Sequence, residues 1–209
     1  GITAATRRIR STARFRRVTP RTWRSSKWRG RGTGRTAISN ASAAALIDKV
    51  VADINRVINS GKSEAAMIRD FKGIFDRYGD NSYIAAYAMG VDARRATAAQ
   101  KAAFSNAFGH YISRKYGKRF REFIGGQIDV KGVKQVKTWY EVDTQFRLRG
   151  KSLFQVVFYV SYRIGRYLFF NLFIEGVNLL LSEREEIGAM LDRRRGDIDA
   201  MIADLQNAG

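Results

Sequence analysis

The chain has no cysteine, one proline (Pro20) and one histidine (His110) among 209 residues. Without cysteine there is no disulfide, no thiolate-held zinc and no thiol nucleophile, and a lone His110 excludes a multi-histidine metal site. No apolar stretch of about 18 residues is free of charge, so no membrane-spanning helix is expected. The nearest approach, Leu153–Leu181, is interrupted by Arg163, Arg166 and Glu175 and is patterned like strands. A secretory leader with its basic, apolar and cleavage regions is not visible, and the start at Gly1 reads as processed or truncated. Acidic residues are missing from residues 1–40, which hold eleven Arg and one Lys.

That last absence accounts for most of the net charge of +19: residues 1–40 carry +12, and 26 bases against 19 acids leave +7 for the remainder. Residues 1–40 mix Arg, Thr, Ser and Gly with Phe15, Trp23 and Trp28, and show neither helical nor alternating apolar period. This composition reads as a disordered basic tail, with the folded domain over 41–209. It also suits weak contact with a polyanion, either nucleic acid or an anionic membrane, because dense arginine binds phosphates and aromatic rings stack on bases. Its acid-free, Arg- and Ser-rich character is shared with transit peptides as well. The rest of the chain, moderately basic, contributes to a composition of 45% hydrophobic and 12% aromatic residues, sufficient for a sizeable core.

From Ser39 the texture is helical. Leu46, Ile47, Val50, Val51, Ile54, Val57 and Ile58 recur at three- and four-residue spacing before Gly61. Ser63 caps a second expected helix with Ile68, Phe71, Ile74 and Phe75, ended by Gly79; a short third covers about 81–89. Thr97 and Gln100 form a capping box that opens a long helix with Phe104, Phe108, Tyr111, Ile112, Tyr116, Phe120 and Phe123 on its apolar face. After Gly126 the period becomes two. Val136, Thr138, Tyr140, Val142, Thr144, Phe146 and Leu148 alternate with polar residues, and two further strands follow over 153–162 and 167–174. Ser182 with Glu185, and Asp197, are the expected caps of two final helices. Strands in a meander with helices before and after them indicate an α+β fold.

The segment Phe173-Ile174-Glu175-Gly176-Val177-Asn178-Leu179, then Arg184, then Gly196-Asp197-Ile198-Asp199-Ala200-Met201-Ile202 resembles the C-terminal signature of the MlaC (toluene-tolerance) family. Asp80, Ile84, Ala85, Gly90, Ala96, Thr97, Gln100 and Phe104 match a second block of that family, and Phe108, Ile112 and Tyr116 a third. The resemblance extends over about residues 42–206. Ala93 and Tyr167 stand where the family usually has Trp, Asn171 where it has Asp, and Asn178 where it has Ser.

The resemblance implies a cystatin-like, nuclear-transport-factor-like domain: a curved antiparallel sheet with flanking helices around an apolar lipid pocket. It implies a periplasmic phospholipid carrier that shuttles lipid between outer and inner membranes and preserves outer-membrane asymmetry. The expected partners are an inner-membrane ABC transporter with its membrane-anchored ring and an outer-membrane lipoprotein complex. No cofactor beyond the bound phospholipid, no metal and no catalysis are expected. Period and resemblance together nominate Val136, Tyr140, Val142, Val156, Phe158, Phe170 and Leu172 from the strands, and Tyr83, Phe104, Phe108 and Ile112 from the helices, as lipid-binding. Taken singly, a strand residue of this set reads more readily as ordinary packed core than as pocket wall; as a set facing one sheet they could be either.

Other polar residues have two readings. Glu175 either pairs with a base such as Arg184 or touches ligand, and His110 reads as structural. The run Arg193-Arg194-Arg195 reads as a solvated linker, or as a docking patch for acidic partners. Two other functions stay open: an enzyme of small apolar substrates on the same fold, which needs an inward acid or base, and a polyanion-binding protein acting through the tail. On the expected strand over 136–148, the inward series holds only Tyr140 as an ionisable group, which counts against the enzyme.

Overall fold

The computed structural model describes residues 34–150 and 153–209, without the side chains of residues 34–38, 120 and 121. The basic tail expected over 1–40 therefore lies outside the described residues up to residue 33, and helix is already established from Gly34. The helical half contains α1 (Gly34–Ile58), α2 (Glu64–Tyr78), α3 (Asn81–Met89) and α4 (Ala98–Gly117), with short 3-10 helices at Gly90–Arg94 and Phe120–Phe123. The expected starts of α2, α3 and α4 agree with their caps. The Ser63 hydroxyl accepts from the Ala66 amide, the Asp80 carboxylate from Tyr83, and Thr97 and Gln100 close a reciprocal capping box. Such caps satisfy amides that the first helical turn leaves without partners, worth about 1 kcal/mol each.

The long helix stops sooner than its apolar spacing indicates. α4 ends at Gly117, where a side chain would meet Ile68 of α2 at 2.7 Å. Phe123 therefore belongs to a separate 3-10 turn, Phe120–Phe123.

Five strands form one antiparallel sheet in the order β1-β2-β3-β4-β5. They are β1 (Gln127–Val136), β2 (Trp139–Arg147), β3 (Phe154–Arg163), β4 (Arg166–Ile174) and β5 (Val177–Asn178). The sequence reading identifies three of them and runs Val136 into β2. Instead the chain turns at Lys137, where φ is +54°, and Val136 pairs backwards with Trp139. β1 escapes notice because it is an edge strand, buried only at Ile128, with a register shift between Val130 and Gly132. Two tight hairpins carry consecutive positive-φ residues, Ile164-Gly165 and Glu175-Gly176, the backbone that right-twisted strands need in a two-residue turn.

After the sheet come α5 (Leu179–Arg193) and α6 (Ile198–Asn207). Asp197 caps α6 as expected, but α5 starts earlier than the Ser182–Glu185 pattern indicates. Its cap is Asn178, whose Oδ1 accepts from the Leu181 amide at 3.0 Å, while the Ser182 hydroxyl donates back to the Asn178 carbonyl. Asn171 completes this junction: its Nδ2 donates to Asn178 Oδ1 and its own Oδ1 accepts from the Leu180 amide. Two of the four departures from the family pattern, Asn171 and Asn178, thus bond to each other and join β4 to α5. The inward face of the sheet and the helices share one hydrophobic cluster. Among the described residues no helix is long and apolar enough to cross a membrane.

A candidate ligand cavity at one end of the sheet

One end of the sheet gathers the β2–β3 connection, the β4–β5 turn, the start of β1 and the entry into α5. Here the inner face does not close against the helices. Instead it bounds an apolar cavity of about 370 Å³. The sheet wall is Phe146, Phe154, Val156, Phe158, Phe169, Leu172 and Ile174, with Leu148 just past β2. The helical wall is Val50 and Ile54 of α1, Phe71, Ile74 and Phe75 of α2, Ile112, Ser113 and Tyr116 of α4, and Leu179 of α5. Phe123 packs against Phe146 and Phe154 at ring-centroid distances of 5.9 and 5.5 Å, beside the mouth. The volume is at the low end of what ligand sites usually have. Seven phenylalanine rings among its walls account for the narrowness.

Polarity is confined to the edge. Arg119, Glu122 and Glu175 are exposed residues bordering the mouth. Glu175 accepts a hydrogen bond from the Gln155 amide, and the guanidinium of Arg119 has no ion pair among the described residues. Inside, both hydroxyls are occupied by the protein. Ser113 donates to the Gly109 carbonyl at 2.7 Å, and Tyr116 donates to Glu183 Oε1 at 2.6 Å. Glu183 is 1% exposed and also receives Lys115 Nζ at 2.7 Å. Burial, reinforced by the bond to Glu183, pushes the Tyr116 phenol far above its usual range, so it stays protonated. Among the described residues, the interior therefore presents carbon to a guest and no free acid or base.

Four of the residues nominated from sequence line this cavity: Ile112, Val156, Phe158 and Leu172. The others are placed elsewhere, for three reasons. Tyr140 lies on the inner face further along β2, packed against Tyr167 at 6.0 Å, and Val136 beside the turn at that far end; Val142 is level with its cross-strand partner Phe158 but is fully buried under β2, to the side of the cavity. Phe104 and Phe108 stack on each other at 5.5 Å and are 0% and 2% exposed, so they are solid core. Phe170 is the extra residue where the β3–β4 register shifts between Tyr159 and Val160. The shift rotates it off the Leu172–Ile174 face, and it packs against Tyr83 at 5.3 Å and Tyr159 at 5.8 Å. Tyr83 is itself partly exposed on that outer surface.

Several lining residues were unmarked in sequence. Val50, Ile54, Phe71, Ile74 and Phe75 were legible as apolar helix faces, and Phe146, Phe154 and Ile174 as strand alternation, but nothing in spacing separates a wall from a core. Arg184 does not pair with Glu175; its guanidinium lies over the Tyr87 ring at 5.2 Å, against Gly90. In the arginine run, Arg194 forms a two-pronged bond to Asp204 at 2.7 Å. The imidazole of His110 is pushed down, first by burial and then by Lys72 and Arg114. No cluster of three or more His, Asp or Glu residues able to hold a metal occurs among the described residues.

Comparison with known proteins fits this arrangement. No curated protein matches the sequence. Among solved structures, a phospholipid-binding protein from Ralstonia solanacearum, determined in complex with a phospholipid, has a TM-score of 0.68 at 16% identity. The match covers 79% of this chain and 96% of that one, a likeness of fold. The model of a family described as MlaC protein matches residues 45–207. With the fold, the signature residues and that match in agreement, the chain belongs to the MlaC family.

Proposed function

We propose that this protein is a phospholipid carrier that takes acyl chain into the cavity between its sheet and α1, α2 and α4. The observation that carries the reading is an apolar cavity whose polar groups border its mouth, on a fold whose Ralstonia relative holds a phospholipid. Each methylene moved from water to an apolar site gains about 0.8 kcal/mol. Two acyl chains of roughly 30 methylenes are thus held in a bilayer by on the order of 20 kcal/mol, so transfer through water is slow and a shielded path is needed. A cavity of about 370 Å³ is small for two whole chains, so loading both requires its walls to give. The lipid phosphate stays at the mouth, where the guanidinium of Arg119, in no ion pair among the described residues, suits bidentate contact. With both inner hydroxyls taken up by protein acceptors, binding is favoured over catalysis.

In this reading the protein works in the periplasm, moving lipid between outer and inner membranes. It exchanges cargo with an inner-membrane ABC transporter bearing a membrane-anchored ring and with an outer-membrane lipoprotein complex. Native mass spectrometry of protein purified from a bacterial host tests the reading. A co-purifying phospholipid mass is the expected result; ligand-free protein after incubation with phospholipid vesicles refutes it.

A further inference from the structure

Eight large apolar residues are markedly exposed among the described residues, and four of them stand around the cavity mouth. Ile124 (49% exposed) follows the lining Phe123, and Leu153 (54%) precedes the lining Phe154. Val177 (59%) pairs with the lining Ile174, and Leu181 (43%) lies two residues past the lining Leu179. They come from four separate segments, all at the same end of the sheet. Two, Ile124 and Leu153, are on turns or connections, where exposing an apolar side chain does nothing for the fold. Scattered singly, such residues need no explanation; gathered around one opening, they mark a contact surface.

We propose that this rim is a membrane-docking surface that sets the mouth against a phospholipid bilayer. The inference rests on the carrier reading above and adds how cargo enters. A bilayer is favoured as the occupant because the apolar prongs are continuous with an apolar cavity. Lipid passing between the two then crosses no water layer. The charges beside the prongs suit the phosphate level of a bilayer. Arg119 and Arg149 are in no ion pair among the described residues, and the Arg149 chain lies across Gly125, next to Ile124. Lys118 donates to the Gly209 carbonyl, Glu175 accepts from the Gln155 amide, and Glu122, the other exposed acid at the mouth among the described residues, has a partner as well. Apolar side chains entering the acyl boundary, with arginines at headgroup depth, give reversible and shallow attachment.

The test compares the wild-type chain with Ile124→Ser, Leu153→Ser, Val177→Ser and Leu181→Ser combined, and with Leu153→Ser and Val177→Ser singly. Flotation uses vesicles of phosphatidylcholine with and without phosphatidylglycerol, and a fluorescent phospholipid reports transfer between vesicles. The combined variant is expected to melt like the wild type and to hold as much lipid by native mass spectrometry. It should lose vesicle flotation and transfer at least tenfold more slowly, with the single changes intermediate. Transfer unaffected by all three variants overturns the proposal. So does a lipid-loaded wild type that floats with neither vesicle, which assigns the rim to a protein partner instead. A wild type that carries no lipid refutes the carrier reading, and flotation still decides separately whether the rim binds bilayers.

Discussion

The two halves of this domain use the same kind of residue for opposite ends. Away from the mouth, Phe104, Phe108, Ile187, Met201 and Leu205 interlock at 2% exposure or less, and α4, α5 and α6 form a solid block. At the mouth, Phe71, Phe154, Val156, Phe158 and Leu172 bound a space rather than fill one. The composition of the two sets is indistinguishable. The difference lies in what stands opposite each ring: another element in one half, an opening in the other. Interiors normally pack to crystal-like density, so a wall that lacks partners on one side forgoes dispersion energy, which a bound guest restores.

The contrast is broken most severely in the solid half. Phe108→Ala should cost about 3–5 kcal/mol in urea unfolding, because its neighbours cannot collapse into the space left. Leu172→Ala on the hollow side should cost less than about 2 kcal/mol, since it enlarges an existing void. Equal losses at both positions would mean that the two halves are packed alike.

Next in size is Glu183, which bonds Tyr116 behind the cavity wall. Glu183→Ala leaves the half-buried Tyr116 phenol without an acceptor and Lys115 without its carboxylate, for an expected loss of roughly 3 kcal/mol. It should also make Tyr116 titrate at lower pH in spectrophotometric titration, since the raised phenol depends partly on that bond. A Tyr116 titration that does not move would show that burial alone holds it.

Val156→Trp and Phe158→Trp sharpen the comparison from the other direction. Filling the cavity should cost stability no more than about 1.5 kcal/mol, because the added volume enters free space, while bound phospholipid falls sharply by mass spectrometry. Undiminished lipid in both variants would place the guest elsewhere. The smallest stability effect belongs to Arg119→Ala, within about 0.5 kcal/mol for an exposed side chain. Phospholipid affinity should nevertheless weaken about tenfold, or about 1.4 kcal/mol, if the guanidinium holds the phosphate. Vesicle competition measures it.

Much of this was legible along the chain. Ser63, Thr97 and Asp197 mark helix starts because capping is a local bond between neighbours in sequence. The α+β class follows from the change of apolar period after Gly126, since side-chain direction in a helix or strand is fixed by local backbone geometry. Short-range competition was already harder to read: Asn178 rather than Ser182 opens α5, because Asn171 across the hairpin holds it there. β1 stayed hidden because an edge strand needs no alternating burial.

What only the tertiary structure decided is depth and vacancy. Phe158 and Val142 are paired across β2 and β3 on one inward face, yet only Phe158 lines the cavity, because which strand stands under the open space between the helices is not written in period two. Phe170 shares the alternation of Leu172, but a single register shift between β3 and β4 turns it outward. Sequence determines which residues avoid water. Whether they meet one another or enclose a space depends on how far apart α1, α2 and the sheet are held, a distance set by long-range contacts such as Gly117 against Ile68 and the Gly79–Phe169 bridge.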